Sequence, residues 1–264
     1  MKNITSKDNS VIKQAAMLNK SAKERRKSGL MLLEGLRICT DAAKSGYIAK
    51  NLLFTETALT KYESELKIAI ENAEDVYVIS DALARYISDT QHTQGVFSII
   101  KRRSFSENEI SFDANSKFIM LENLQDPGNM GTIIRCAEAF GMTAVVVSRD
   151  SVDVYSPKVL RSTMGSVLRM PIVEVDDIQA TITEMKDRGT RVYGAILDRS
   201  SVRPSDMEIS SGGIAVVIGN EGNGLRKETY EKCSGTVFIP MTENIESLNA
   251  ASAATVLMWE MSQK

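Results

Sequence analysis

The stretch VVIGNEGNGL (216–225), followed after a short spacer by VFIPMTENIESLNAASAATVLMWE (237–260), decides the fold. Each segment is a strand-like apolar run that breaks into a Gly-, Asn- or Ser-rich turn and then opens a helix. α/β proteins build ligand pockets at strand ends in this way. Upstream, LENLQDPGNMGTIIRCAEAFG (121–141) has the same form. Working outwards, strands are expected at KFIML (117–121), TAVVVS (143–148), VYGAIL (192–197), IAVVIG (214–219) and TVFIP (236–240). Helices are expected near 129–140, 157–165, 176–188, 223–232 and 247–262. Ser156-Pro157 reads as a helix start with Ser as N-cap, and Gly141 and Gly189 read as helix stops. Continuous apolar strands such as AVVIG imply a parallel sheet covered on both faces.

The N-terminal part alternates in the same manner but in shorter units. A helix over about 9–27 precedes the strand LMLLE, the helix GLRICTDAAKSG stopped by Gly46, the strand NLLFT, a helix over 58–73, the strand VYVIS, a helix at 81–87 and the strand GVFSII. The polar segment SFSENEISFDANS (104–116) then separates two halves. This predicts a small α/β domain over 1–105, a linker over 106–116 and a larger α/β domain over 117–264.

Composition bounds what such a chain does. With 264 residues, 43% hydrophobic and 25% charged, it reads as an ordinary globular protein long enough for two domains. The N-terminus MKNITSKDNS has no apolar signal core, and no stretch approaches the roughly 20 apolar residues of a membrane span. The expected location is the cytoplasm, with no membrane partner. Cys39, Cys136 and Cys233 are odd in number and far apart, so they read as buried thiols. The single histidine, His92 in DTQHTQGV, would have to carry any zinc, Ser-His-Asp or phosphohistidine chemistry alone. Metal-ligand clusters are not expected. A dinucleotide-binding oxidoreductase would need GxGxxG after its first strand, and DPGNMG does not fit.

The net charge of −2 conceals an asymmetry. Residues 1–105 carry 17 Lys and Arg against 12 Asp and Glu, whereas 106–264 carry 15 against 22. The basic residues cluster in KSAKERRK (20–27) and at Lys101, Arg102 and Arg103. Lys23, Arg25, Arg26, Lys27, Lys101, Arg102 and Arg103 are therefore candidate phosphate contacts.

The three C-terminal motifs, in this order, resemble those of the SpoU (TrmH) family of RNA ribose 2′-O-methyltransferases in the SPOUT superfamily. The first supplies Asn129 and Arg135, the second Glu221, and the third Ser247 and Asn249. Where the family pattern has a glycine two residues after IPM, this chain has Glu243. The opening MLLEGLR (31–37) resembles the L30e-like substrate-binding domain that precedes many of these catalytic domains. The resemblance implies a deep C-terminal trefoil knot, S-adenosylmethionine as cofactor, an RNA substrate and a homodimer formed by the catalytic domain. An L30e-like domain favours large-subunit 23S rRNA. A tRNA-directed enzyme and a noncatalytic RNA-binding protein of ribosome assembly are the alternatives.

The residues themselves suit that chemistry. S-adenosylmethionine carries an activated methyl group, so the protein positions it and manages one proton. Its adenine and ribose need main-chain donors and acceptors in tight turns, a use for Gly194, Gly219, Ile239, Met241 and Leu248. The resemblance implies that Arg135 helps to deprotonate the ribose hydroxyl. Because a guanidinium is effectively always protonated, the preferred reading is that Arg135 binds the neighbouring phosphate and stabilises the developing alkoxide, with a role as the base left open. Asn129 suits orienting that guanidinium, capping its helix, or both. Glu221 is implied to order the loops, in some members across a dimer interface. Ser247 and Asn249 are implied to hold the active-site loop and the ribose, and each also suits an N-cap. AASAA (250–254) beside Leu257, Met258 and Trp259 suits close packing in a subunit interface.

Overall fold

A short strand that the sequence pattern does not announce, β1 (Lys2–Ile4), opens the computed structural model. Two helices, α1 (Ser10–Lys20) and α2 (Ala22–Ser28), stand where one was expected. Ser21 leaves helical geometry between them. Its amide still bonds Met17 O while its hydroxyl accepts the Glu24 amide, so one residue ends a helix and caps the next. There follow β2 (Leu30–Glu34), α3 (Leu36–Lys44), β3 (Ala49–Thr55), α4 (Glu56–Lys61), α5 (Glu63–Glu71), β4 (Ala73–Ile79), α6 (Asp81–Ile87) and β5 (Val96–Lys101). The helix expected over 58–73 is divided at Tyr62.

The strand order in this sheet is β1-β4-β3-β5-β2. β1, β4 and β3 run parallel, and β5 pairs antiparallel with both β3 and β2. Ile12, Ala15 and Leu18 of α1 and Leu83 and Ile87 of α6 form one core with Leu32, Leu53 and Ile99. No residue of that cluster comes from α3, α4 or α5. Instead, α3 and α5 pack on each other and on the strands.

The structure describes residues 1–103, 105 and 110–264, which form two compact units. One is Met1–Arg103 with Tyr155–Leu168, and the other is the described part of 104–154 with Arg169–Lys264. The later segment is tied into the first unit by polar contacts. The Tyr155 hydroxyl donates to Arg103 O (3.0 Å), the Tyr47 hydroxyl donates to Leu168 O (3.1 Å), and Arg161 pairs with Asp89 at 2.8 Å. Of the expected linker, residues 106–109 lie outside the described residues. Beyond them, Phe112 stacks on Phe118 of the second unit with centroids 5.1 Å apart.

The second unit runs β6 (Lys117–Leu121), α7 (Pro127–Ala139) and β7 (Ala144–Ser148). After α8 (Pro157–Ser162), which belongs to the first unit, come β8 (Ile172–Val175), α9 (Ile178–Asp187), β9 (Arg191–Ala195), β10 (Ile214–Ile218), α10 (Lys227–Tyr230), β11 (Gly235–Val237) and α11 (Ala250–Ser262). Their strands make one wholly parallel sheet in the order β11-β9-β10-β6-β7-β8. β10 and β7 are buried along their whole length, as apolar parallel strands require.

Three local expectations are corrected. The helix expected over 223–232 shrinks to four residues because the chain first closes a loop, with Asn220 N bonded to Gly224 O and Gly224 N to Asn220 O. The last helix begins at Ala250 rather than 247, capped by Asn249. Ser156 does not cap α8 with its side chain, and its Oγ is buried without a partner among the described residues. The cap-and-proline start is realised at Asp126-Pro127 instead, where the Asp126 carboxylate accepts the Asn129 amide at 2.8 Å.

Candidate active site

β11, β9 and β10 are neighbours, with Val237 opposite Ala195 and Gly194 opposite Val217. Their carboxyl ends therefore bring Gly194, Gly219 and Ile239 to one edge of the sheet, where open α/β sheets bind ligands. Gly219 must be glycine: a Cβ there would lie 2.2 Å from Gly224 C and 2.3 Å from Leu225 N. It lets the 219–225 loop fold back on the strand that precedes it. A Cβ on Gly194 would lie 3.0 Å from Tyr230 Cβ and 3.2 Å from Leu225 Cδ1, so this glycine admits α10 and its preceding loop. Both glycines thus have packing reasons. The main-chain groups of Ile239, Met241 and Leu248 form no hydrogen bond among the described residues, which leaves donors and acceptors along this edge for a ligand.

Glu221 is the centre of a network that ties the three motifs together. Its carboxylate accepts the amides of Gln125 (3.0 Å) and Asp126 (2.8 Å) and the Asn129 side-chain amide (3.1 Å). Burial acts to raise the Glu221 carboxyl, but these hydrogen bonds from Asp126, Gln125 and Asn129 outweigh it and hold it below the ordinary glutamate range. Asn129 in turn accepts from Asn249 Nδ2 at 2.9 Å, and Asn249 Oδ1 accepts the Ala251 and Ser252 amides at the start of α11. Asn249 is therefore both a cap and a link.

Arg135 stands apart from this network. It is exposed on α7, and its guanidinium makes no hydrogen bond or ion pair among the described residues. Six residues separate it from Asn129, which on a helix is about 240° of rotation. Both polar ends of the Asn129 amide are taken by Glu221 and Asn249. The Asn129 side chain makes no contact with the Arg135 guanidinium among the described residues, and α7 is capped by Asp126 instead. Arg135 lies about 12 Å along the axis from the N-terminus of α7. Ser247 is exposed, two residues before the cap, and has no hydrogen bond among the described residues. Glu243 lies exposed in a turn closed by Ile245 N to Thr242 O.

Sequence reasoning misses Glu122, a carboxylate 1% exposed at the end of β6. It accepts Arg226 N (3.0 Å), Arg226 Nε (2.9 Å) and the Thr229 hydroxyl (2.6 Å), and it makes an ion-pair contact to Arg226 Nη2 at 2.8 Å. Asn220 Nδ2 donates to Asn123 O at 2.9 Å. With Glu221, these bonds fasten the 219–226 loop to the turn after β6 at three points. A charged residue directly after an apolar strand is the available signal for Glu122.

The basic candidates fare unequally. Arg25 is 4% exposed and its guanidinium donates to Leu18 O (2.5 Å) and Asn19 O (3.2 Å), satisfying carbonyls at the end of α1. It is a structural residue and no phosphate contact. Lys23, Arg26, Lys27, Lys101 and Arg103 are exposed. Arg102 lies over the Tyr155 ring and Arg103 over the Tyr47 ring, each at 5.2 Å. Among the cysteines, burial pushes Cys39 and Cys233 up to about 12, so both are thiols at neutral pH. Among the described residues no helix is long and apolar enough to cross a membrane.

Residues 116–259, more than half of the chain, match the SpoU rRNA methylase family. The chain belongs to this family. Residues 9–98 match the MRM3-like substrate binding domain. The 23S rRNA (guanosine(2553)-2′-O)-methyltransferase RlmP of Bacillus subtilis is 31% identical over 261 residues, covering 99% of each chain. An AdoMet-bound rRNA methyltransferase from Sinorhizobium meliloti superposes with TM-score 0.87 at 26% identity, over 99% of this chain and 97% of that one. The SpoU methyltransferase AviRb of Streptomyces viridochromogenes in complex with AdoMet gives TM-score 0.84 at 25% identity, over 97% of both chains. This SpoU protein is accordingly an RNA 2′-O-ribose methyltransferase that uses S-adenosylmethionine.

Proposed function

We propose that the enzyme acts in the cytoplasm on large-subunit (23S) rRNA, through an L30e-like substrate-binding domain over residues 1–105 joined by 106–116 to a catalytic domain over 117–264. One observation carries the choice of target: the likeness to a 23S rRNA enzyme runs through both halves, the N-terminal one included. The position of β10 between β9 and β6, and the return of α11 onto α7, β6 and β10, support the trefoil knot of this fold.

S-adenosylmethionine, when bound, supplies the methyl group on a sulfonium that needs no further activation. The residues at the strand ends fit it: unpaired main-chain groups of Ile239, Met241 and Leu248 beside the closely packed turns at Gly194 and Gly219. Glu221, Asn129 and Asn249 hold the loops that frame this site. Arg135 binds a substrate phosphate and stabilises charge as the 2′-oxygen loses its proton. Ser247 contributes a hydroxyl beside the ribose. Mapping of ribose methylation in rRNA and tRNA from cells with and without the gene tests the target. Loss at a single 23S nucleotide is expected, and loss in tRNA alone would refute it.

The same proposal includes a homodimer through α11. Ser252, Val256 and Trp259 are exposed along one helical stripe, Trp259 by 53% and Val256 by 41%, and the indole meets Phe140 edge to face with centroids 5.8 Å apart. Two-fold pairing is the commonest way to bury such a stripe. The full chain should sediment at twice its monomer mass at micromolar concentration, and Val256→Glu with Trp259→Glu should sediment as a monomer. A wild-type monomer with full turnover would remove the dimer from the account.

A further inference from the structure

The parallel part of the first unit's sheet ends in a crevice that the methyl-transfer chemistry leaves unused. β3 ends at Thr55 and leads into α4, while its parallel neighbour β4 ends at Ile79 and leads into α6. α6 contributes Leu83, Ala84 and Ile87 to a core in which α4 and α5 have no residue. The chain thus leaves two adjacent strand ends towards different layers, and such switch points are where open α/β sheets form ligand crevices.

The crevice measures about 540 Å³, within the roughly 300–1,000 Å³ of small-ligand sites. Lys61 and Tyr62 at the end of α4, Asp81 and Arg85 of α6, and His92 and Gly95 of the loop before β5 line it. The lining thus holds two basic side chains and one carboxylate, and neither Lys61 nor Arg85 forms an ion pair among the described residues. Lys61 Nζ lies 5.1 Å over the Tyr62 ring, presenting a cation and an aromatic face together. Proteins that hold single-stranded nucleic acid use this combination, the cation for phosphate and the ring for a stacked base. Gly95, at φ 68°, lets the loop press on the end of β3, because a Cβ there would lie 2.6 Å from Thr55 Oγ1. The wall is thereby fixed against the strand.

We infer that this crevice binds one single-stranded nucleotide of the RNA substrate, other than the one methylated, with its phosphate between Lys61 and Arg85 and its base against Tyr62. The inference rests on the reading that the substrate is RNA. It differs from the cluster at residues 20–27, where Arg25 is already committed to main-chain carbonyls.

The test uses the full-length protein and an rRNA fragment that the wild type methylates. Lys61→Ala with Arg85→Ala should weaken RNA binding about tenfold and reduce the salt dependence by roughly 0.7 for each phosphate that is no longer neutralised. The effect should appear in KM for RNA rather than in kcat, with an unchanged circular dichroism spectrum and thermal unfolding profile of the full-length protein as evidence that the variant is folded. Tyr62→Ala should weaken binding severalfold at unchanged salt slope, and Tyr62→Phe should restore it, because stacking needs the ring and not the hydroxyl. A folded double variant with wild-type KM and salt slope would overturn the crevice while leaving the enzyme's function intact. A wild type that binds no RNA would overturn both. Competition by uridine or adenosine monophosphate as strong as that of the RNA fragment would make this a free-nucleotide site and overturn the RNA assignment.

Discussion

Arg135→Ala is expected to reduce turnover by at least about a hundred- to a thousandfold, the scale seen when one donor to a developing oxyanion is removed, and to leave S-adenosylmethionine affinity within a few-fold. The expectation follows from what Arg135 does not do. It is exposed on α7 with no partner for its guanidinium among the described residues, so its removal costs the fold little and any large effect is chemical. The cofactor groups proposed at Ile239, Met241 and Leu248 belong to a different loop. Arg135→Lys separates the two readings of its role. A lysine keeps the charge without the bidentate fork, so a phosphate-binding role predicts partial activity with raised KM for RNA. A role as base predicts that activity in Arg135→Lys climbs with pH towards the lysine range near 10.4. Steady-state kinetics from pH 7 to 10 decide this, and an Arg135→Ala enzyme with unimpaired kcat would remove Arg135 from the chemistry.

The legible parts of this protein are those in which one local signal and the tertiary structure agree. β7 and β10 are apolar runs buried on both faces, and Gly141 and Gly189 end their helices at φ 67° and 85°. β1 and β8 escape notice because runs of three and four residues carry too little periodicity to stand out. Expected helix lengths fail at Ser21 and Tyr62, where a break within a continuous pattern is decided by a single cap or turn. The cap-and-proline signal stands at Ser156-Pro157 but is satisfied at Asp126-Pro127, and burial decides between them. Ser156 Oγ is enclosed without a partner among the described residues, whereas Asp126 reaches the Asn129 amide.

The candidate site is legible as a set of motifs but not as a network. Residues 92 positions apart, Asn129 and Glu221, meet only because β6 and β10 are parallel neighbours with Leu121 opposite Ile218. That register also carries Glu122 towards α10. Arg25 shows the opposite error: it is one member of a basic run, and nothing in its neighbours' charge distinguishes it. Its helix turns it inwards against the carbonyls of Leu18 and Asn19, so a run of like charges is here two populations, one solvated and one structural.

Glu122→Ala is expected to destabilise the second unit by about 3 kcal/mol, a large share of the roughly 5–15 kcal/mol that holds a domain folded. The carboxylate takes three hydrogen bonds and an ion-pair contact to Arg226 Nη2 while 1% exposed. Its loss strands the Thr229 hydroxyl, on a residue 0% exposed, and the Arg226 amide. The guanidinium contributes less to the cost, because its side chain is 50% exposed and has Asp150 at 3.7 Å as a second partner. Glu122→Gln should recover part of the loss, since its carbonyl oxygen can replace Oε1 for the Arg226 side chain and Thr229, while its NH₂ group then faces the Arg226 amide where an acceptor is needed. Glu122→Leu combined with Thr229→Val should lose less than the sum of the two single changes, because an apolar pair leaves fewer stranded donors. Trp259 is the only tryptophan in the chain and lies on α11, so urea unfolding followed by its fluorescence reports on the unit concerned. Since Glu122 also fastens the loop that begins at Gly219, S-adenosylmethionine affinity should fall together with stability. A Glu122→Ala protein of wild-type stability with weakened cofactor binding would mean that the ion pair serves the site and not the fold.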